Sequence, residues 1–232
     1  MIIEFNGLPG TGKSTVANEI EQLLPQGTPV FSRYVAKQSR VSGYISYLFD
    51  GSITLYFLSL AFAKKASSGN YKQKKKTAPL LVHFYRMYRQ FQAHEPKDAV
   101  LLIDQGVLQA FISIAHEHRI TRTKELDKIF RFLSKKGISF AVVSCENNIP
   151  LSMERIVSRN TTGGRLDVCT ESERKDILQA QAENFELVRQ HATLIAPNTS
   201  TVFIDTENTP SDNAKKILSA LHLMEGPDEK AL

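Results

Sequence analysis

Five short apolar runs recur along the chain, and their length and composition indicate β-strands. They cover residues 2–6, 29–33, 99–104, 138–144 and 201–205. Each run is rich in Val, Ile, Leu or Phe and is bounded by polar or turn-forming residues. Near-continuous apolar runs of this kind are typical of strands that are buried on both faces of a parallel sheet.

The stretches between these runs carry apolar residues at helical spacing. The first such stretch places the following side chains on one helix face: Val16, Ala17, Ile20, Leu23 and Leu24. Thr170 and Glu173 have the spacing of a capping box, and Thr209-Pro210 is a favourable start for a last helix. Strands that alternate with helices predict an α/β fold, here a three-layer α/β/α arrangement with a five-stranded parallel sheet.

We expect one domain over residues 1–224, followed by a flexible tail over residues 225–232. Residues 41–96 separate the second and third strands, and we expect them to form a largely helical insertion, since structureless loops of that length are rare in compact domains. Within this insertion, residues 67–77 are the best candidate for a loop. A lid is expected over about residues 155–170.

Charge changes this picture in one region only. The chain of 232 residues has a net charge of +5, and all charged residues between Gly51 and His94 are basic. Lysines cluster at residues 72–76, which indicates either a solvated loop or a contact with a polyanion such as nucleic acid. We favour the solvated loop, because no series of aromatic side chains alternates with these lysines as a base-stacking surface would require.

Composition also excludes some classes of protein. The two cysteines, Cys145 and Cys169, cannot form a disulfide framework or a four-cysteine zinc site, and they suit a reducing, cytoplasmic location. The apolar run over residues 53–63 is shorter than the roughly 20 residues that a membrane-spanning helix needs. We therefore expect no membrane association, and a homodimer stays open.

The segment from Gly7 to Ser14 has the phosphate-binding P-loop pattern G-x-x-x-x-G-K-S. It follows a predicted strand and precedes an amphipathic helix, so backbone N–H groups and the helix N-terminus can face an anion. Lys13 would reach the β- and γ-phosphates of ATP, and Ser14 would offer a hydroxyl to Mg²⁺. The residues expected to bind the nucleotide in this segment are Gly7, Pro9, Gly10, Thr11, Gly12, Lys13, Ser14 and Thr15.

Asp104 ends the predicted third strand, after four apolar residues. Ligands bind at the carboxyl ends of strands in such sheets, so we expect Asp104 near Ser14 as a metal-binding or catalytic residue. The alternative is that Asp104 only caps a following helix.

Three arginines form a further candidate group. A helix beginning near Pro150 would carry Arg155 and Arg159 on one face, and Gly163-Gly164 would allow a loop with Arg165 to close over a nucleotide. Guanidinium groups that converge in this way suit the charge of a transferring phosphoryl group. The alternative is a solvated helix face.

The order of P-loop, strand-end Asp and Arg-rich segment resembles the nucleoside and nucleotide kinases, thymidylate kinases above all. Arg155, Arg159, Arg165 and Asp167 lie close to the lid pattern of that family. The resemblance implies a P-loop kinase that uses ATP and Mg²⁺, with Arg155 at the nucleotide and Arg159 and Arg165 in catalysis. The chain departs from the family at 104–106, where Asp-Gln-Gly replaces Asp-Arg-Tyr, and after the second strand.

Arg33, Arg86 and Arg89 are the candidates for holding a phosphate acceptor, and Tyr85 and Tyr88 would either stack on a base or pack in the core. Because residues 51–94 contain no carboxylate, an anionic acceptor such as a nucleoside monophosphate is favoured. Two alternatives stay open, an ATP-driven regulatory switch and a kinase for nucleic-acid ends. A GTPase is disfavoured, because no Asn-Lys-x-Asp motif follows a late strand.

Overall fold

The computed structural model describes residues 1–32, 54–58, 71–104, 106–109, 112, 124–138, 140–146, 148–159, 166, 168–195 and 200–223. Among the helices in these ranges, none is both long enough and apolar enough to cross a membrane.

One parallel sheet contains a strand from each of the five apolar runs. The strands are β1 (Ile2–Asn6), β2 (Val30–Phe31), β3 (Val100–Ile103), β4 (Ala141–Cys145) and β5 (Thr201–Ile204). They are ordered β2-β3-β1-β4-β5 and all four neighbouring pairs are parallel. The carboxyl ends of β1, β3 and β4 therefore meet at one edge of the sheet.

Six helices lie wholly or mainly within the described ranges. They are α1 (Lys13–Leu23), α2 (Tyr71–His94), α3 (Lys124–Lys135), α4 (Ile149–Ser158), α5 (Glu171–Ile195) and α6 (Pro210–Ala220). Residues 54–58 and 107–109 are also helical. The turn at 107–109 is separated from the end of β3 by residues 104–106 and is part of the site described below.

Apolar side chains on the two faces of the sheet form two separate cores. Ile3 and Phe5 of β1 pack with Ile20 of α1 and Ile217 of α6. Ile2 and Leu101 point to the other face, where they join side chains from α2, α3 and α5. Alternating strand residues thus bury both faces under helices, which confirms the predicted three-layer α/β/α fold.

Both predicted helix starts are confirmed. The Glu173 N–H donates to Thr170 Oγ1 at 3.3 Å, while the Thr170 N–H donates to Glu173 Oε2 at 2.9 Å. At α6 the Asp212 N–H donates to Thr209 Oγ1 at 3.1 Å, with Pro210 as the first helical residue. These caps satisfy N–H groups that have no partner inside a helix.

The loop predicted over residues 67–77 is wrong from Tyr71 onward, because α2 begins there, and residues 67–70 lie outside the described residues. The lysines at 72–76 therefore belong to the first turns of a helix. Lysine and glutamine have good helix propensity, and no glycine or proline interrupts the segment before Pro79. The helix therefore forms even though the neighbouring lysine side chains repel one another.

Candidate phosphate-binding site

The P-loop connects β1 to α1 through a tight backbone curl. Gly10 and Gly12 adopt φ angles of 88° and 83°, in the left-handed region that favours glycine. A Cβ on Gly10 would lie 2.7 Å from the Ser152 carbonyl oxygen, so this position has no room for a side chain. Gly12 caps α1, and the space beside it is open as far as a guanidinium nitrogen of Arg155, 3.8 Å away.

Lys13 lies within this curl. Its Nζ donates to the carbonyl oxygens of Gly7 and Leu8 at 2.8 and 2.7 Å. Burial lowers the pKa of Lys13 below its ordinary value; Arg159 acts in the same direction, and Asp104 opposes it. The ammonium group is held by these two carbonyl oxygens of the loop, and negative phosphate oxygens beside it would stabilise its charge.

Ser14 and Asp104 meet although they are 90 residues apart in the chain. Ser14 Oγ donates to Asp104 Oδ2 at 3.0 Å. β1 and β3 are neighbours in the sheet, so the loop after β1 and the residue after β3 lie at the same edge. A hydroxyl and a carboxylate oxygen are hard ligands of the kind that Mg²⁺ prefers, and the pair fits a magnesium ion bound with nucleotide phosphates.

The two arginines at the end of α4 do not share a helix face, which corrects the sequence prediction. The helix ends at Ser158, and Arg159 is its C-cap residue with an extended backbone. Arg155 Nη2 donates to the Thr206 carbonyl at 2.9 Å and Nη1 donates to the Gly10 carbonyl at 3.5 Å. Arg159 is exposed and instead lines the cavity over the P-loop, which is called the phosphate cavity below.

A cavity of about 210 Å³ covers the P-loop. The described residues that line it are Gly7, Pro9, Gly10, Gly12, Lys13, Ser14, Thr15, Asp104, Gln109, Arg159 and Gln181. Of the predicted P-loop residues, Thr11 does not line it; its hydroxyl donates to the Leu8 carbonyl at 2.8 Å and braces the loop. A second cavity, about 490 Å³, adjoins the first at Gly7 and extends towards β5.

Gln109 and Gln181 are lining residues that sequence reasoning missed. Gln109 lies in the helical turn after β3 and Gln181 lies in α5. The Oε1 atom of Gln181 is buried and has no hydrogen-bond partner among the described residues. Single glutamines belong to no motif, so only the tertiary structure shows that they line this cavity.

Not all of the predicted acceptor residues reach this edge. Arg89 Nη1 donates to the Lys136 carbonyl at 3.4 Å, just before the amino-terminal end of β4. Since the strands are parallel, that is the edge opposite the P-loop, and the structure does not support Arg89 as an acceptor ligand. Arg86, one turn earlier, is half-buried and does not line the phosphate cavity.

Tyr85 and Tyr88 are core residues, as the alternative interpretation held. Both side chains are fully buried, with their rings 5.8 Å from that of Phe132 and 5.7 Å from that of Phe140, respectively. Arg33, Arg165 and Asp167 lie outside the described residues, so their proposed roles stay predictions.

Glu4 is an acidic residue within β1, and its side chain is fully buried. Glu4 Oε2 accepts from the Tyr88 hydroxyl at 2.7 Å, and Oε1 accepts from the Leu108 N–H at 2.6 Å. Burial raises the pKa of Glu4 to about 7, although these hydrogen bonds act in the opposite direction.

Comparison with known proteins identifies the fold. No family model matches the chain, and no curated protein matches it. Among solved structures, deoxyadenosine kinase from M. mycoides with bound dATP matches with a TM-score of 0.54 and 16% identity, covering 96% of this chain and 100% of that one. The same enzyme with products dCMP and a flexible dCDP matches with a TM-score of 0.53 and 15% identity, covering 96% and 99%.

A third structure of that deoxyadenosine kinase, with bound dCTP, gives a TM-score of 0.50 at 15% identity over 96% of this chain and 99% of that one. At such low identity the likeness concerns the fold alone. The chain therefore shares the α/β/α fold of these structures, and its P-loop, Ser14 and Asp104 lie together at the carboxyl edge of the sheet.

Proposed function

We propose that this protein is a magnesium- and ATP-dependent phosphotransferase whose acceptor is a nucleoside or a nucleoside monophosphate. The observation that carries the proposal is the 3.0 Å contact between Ser14 and Asp104 beside the P-loop and Lys13. This set supplies a phosphate cradle, a cation and two oxygen ligands for a divalent ion at one place.

Each side chain has a distinct part in the proposed reaction. Lys13 would exchange its contacts with the Gly7 and Leu8 carbonyls for contacts with the β- and γ-phosphates. Ser14 and Asp104 would hold Mg²⁺, which when bound neutralises charge on the phosphates. Arg159, exposed at the cavity wall, would stabilise charge that develops on the transferring group, and Arg165 is proposed for the same role.

Arg155 would act differently from the other arginines. Its guanidinium already bridges the Gly10 and Thr206 carbonyls, so it ties the P-loop to the segment after β5. We assign it to nucleotide binding through this bridge, because it fixes the shape of the loop that the phosphates would contact.

The two acceptor classes rest on different observations. A nucleoside monophosphate, as in a thymidylate kinase, is supported by Arg33 and Arg86 as basic residues that could receive its phosphate. A neutral nucleoside is supported by the placement of Arg89 at the opposite edge, which removes one of the three expected cations. The likeness to deoxyadenosine kinase supports a nucleoside-type acceptor in either case.

Phosphate transfer from radiolabelled ATP to a panel of acceptors tests the function. The panel contains the common deoxynucleosides, their monophosphates and an oligonucleotide with a free 5′-hydroxyl, and Lys13→Ala serves as the inactive control. Transfer to nucleosides or monophosphates is expected, and the preferred group identifies the class. ATP hydrolysis that no acceptor changes would instead indicate a regulatory switch, and transfer to the oligonucleotide alone a kinase for nucleic-acid ends.

A further inference from the structure

Glu4 lies outside the phosphate cavity, yet its contacts lead to the segment that carries two of the cavity's side chains. We propose that Glu4 is a positioning residue: its carboxylate anchors the helical turn after β3 and so holds Asp104 and Gln109 against the P-loop. The catalytic consequence of this anchor rests on the proposed function, whereas its effect on the turn does not.

Three elements meet at the Glu4 carboxylate. Glu4 belongs to β1, Tyr88 to α2, and the N–H groups of Leu108 and Gln109 to the turn after β3. Oε1 accepts from the Leu108 N–H at 2.6 Å and from the Gln109 N–H at 3.4 Å, while Oε2 accepts from the Tyr88 hydroxyl at 2.7 Å. A buried carboxylate is costly without such partners, and here both oxygens have them.

The anchored turn is directly connected to the site. Asp104 follows the last residue of β3, and Gln109 contributes both an N–H to Glu4 and a side chain to the cavity wall. Asp104 is thus held between the β3 ladder on one side and the Leu108 N–H on the other. A carboxylate at the first N–H groups of a helical turn is also favourable for its dipole.

Gly106 shows how closely this turn is packed onto the pair. A Cβ at Gly106 would overlap the Tyr88 hydroxyl and would lie 2.5 Å from Glu4 Cδ. The Tyr88 hydroxyl is also 3.5 Å from the Val107 nitrogen. Because Gly106 has no side chain, the backbone of the turn can approach the Glu4 carboxylate closely. A residue with a Cβ at this position would displace the turn from Glu4.

Tyr88 is a titratable side chain that is hydrogen-bonded to Glu4, and the direction of its pKa shift supports its role as the donor to the Glu4 carboxylate. Burial raises the pKa of Tyr88 well above its ordinary value, and the neighbouring Glu4 adds to this effect. The hydroxyl consequently stays protonated and donates to the carboxylate whenever the latter is charged.

Two substitutions of Glu4 separate positioning from simple stability. Glu4→Gln keeps an oxygen that can accept the Leu108 N–H, whereas Glu4→Leu has similar bulk and no acceptor. We expect Glu4→Leu to lower kcat by about 10²-fold, as for other displacements of catalytic groups by about an ångström. The gain in ATP affinity that Mg²⁺ provides should fall with it, and Glu4→Gln should restore both.

Met87→Leu, a buried substitution next to Tyr88 in α2, is the control for a general disturbance of the core in which Glu4 and Tyr88 meet. If Glu4→Leu lost no more kcat or magnesium-dependent affinity than Met87→Leu at equal stability, the positioning role would be wrong. Should Glu4→Leu not fold, Tyr88→Phe removes one of the carboxylate's partners, and an unchanged magnesium response in that variant would overturn the proposal.

Amide hydrogen exchange tests the anchor without any ligand or activity. The Leu108 and Gln109 amides should exchange faster in Glu4→Leu, or in Tyr88→Phe, than in the wild type, while the amides of α6 stay unchanged. Equal protection at 108–109 in all variants would contradict the anchor itself. If the wild type transfers no phosphate but the exchange result holds, the proposed function fails and the anchor stands.

Discussion

At the scale of single residues, Lys13 and Asp104 carry the clearest chemical expectations. Lys13→Ala and Asp104→Asn should each lower phosphate transfer by about 10²-fold or more, since each removes a charge placed at the transferring phosphates. Both residues line the cavity, and Asp104 is exposed, so the free energy of unfolding should change little. Steady-state kinetics over a magnesium titration, with urea unfolding, measures both effects. Normal magnesium activation in Asp104→Asn would reduce Asp104 to a structural residue.

Glu4 leads to a prediction about pH. Burial raises the pKa of Glu4 from 4.5 to about 7 in the folded state. Between these two pH values the carboxyl group therefore holds a proton in the folded protein but not in the unfolded chain. Its contribution to stability is therefore full below about pH 4.5 and is lost as the pH rises through 7. The difference corresponds to roughly 3 kcal/mol.

Urea unfolding of the wild type and Glu4→Gln at pH 5 and pH 8 tests this expectation. Glutamine cannot ionise, so the stability of the variant relative to the wild type should increase from pH 5 to pH 8. A difference that is the same at both pH values would show that the Glu4 carboxyl has an ordinary pKa in the folded protein.

Gly106 leads to a prediction about packing. Gly106→Ala should cost about 1–3 kcal/mol of stability, because the added methyl would overlap the buried Tyr88–Glu4 pair. Gly27→Ala is the control, since its Cβ would meet nothing within 4 Å and would carry only the strain of a positive φ. Urea unfolding measures both variants, and an unchanged stability of Gly106→Ala would argue against the close packing at Gly106.

At the scale of elements, the end of α4 gives its two arginines different tasks. Arg155 is hydrogen-bonded across the P-loop and the segment after β5, while Arg159 follows the last helical residue and faces the cavity. Arg159→Ala should lower kcat by about 10²-fold with little loss of ATP affinity, because its charge acts mainly in the transition state. Arg155→Ala should instead weaken ATP binding and lower the melting temperature.

Kinetics and nucleotide titrations of the two variants test this difference, with Arg131→Ala on the exposed side of α3 as the control for loss of a cation. If Arg155→Ala and Arg159→Ala lowered kcat and ATP affinity in the same proportion, the two arginines would have the same role and the predicted difference would be wrong. The difference arises because the helix stops one residue before Arg159, which periodicity alone did not show.

At the scale of the whole molecule, the strand order brings the site together. β1 lies between β3 and β4, so the P-loop, Asp104 and the start of α4 converge at one edge although they are far apart in the chain. The same parallel order places Arg89, at the far end of α2, on the opposite edge. α2 runs along the sheet, so its two ends lie at opposite edges. Arg89 is therefore far from the P-loop, although arginine is a residue type that suits phosphate binding.

The amino-acid sequence by itself determined the features that depend on near neighbours in the chain. The five strands, the capped starts of α5 and α6 and the P-loop follow from periodicity, side-chain capping and glycine spacing, all of which act over a few residues. The contact between Ser14 and Asp104 was also predictable. Asp104 follows the carboxyl end of one strand and the P-loop follows that of another, and such ends meet at one edge of a parallel sheet.

Only the tertiary structure decided the contacts between distant residues that share no motif. Glu4 and Tyr88 are 84 residues apart, and nothing in either local pattern indicates that an acid in β1 would face a tyrosine in α2. Gln109 and Gln181 reach the cavity, and Arg89 is kept from it, by the way whole helices pack on the sheet. This packing is determined by the burial of apolar side chains in both cores. These side chains come from elements that are spread along the whole chain, so no short stretch of sequence reveals it.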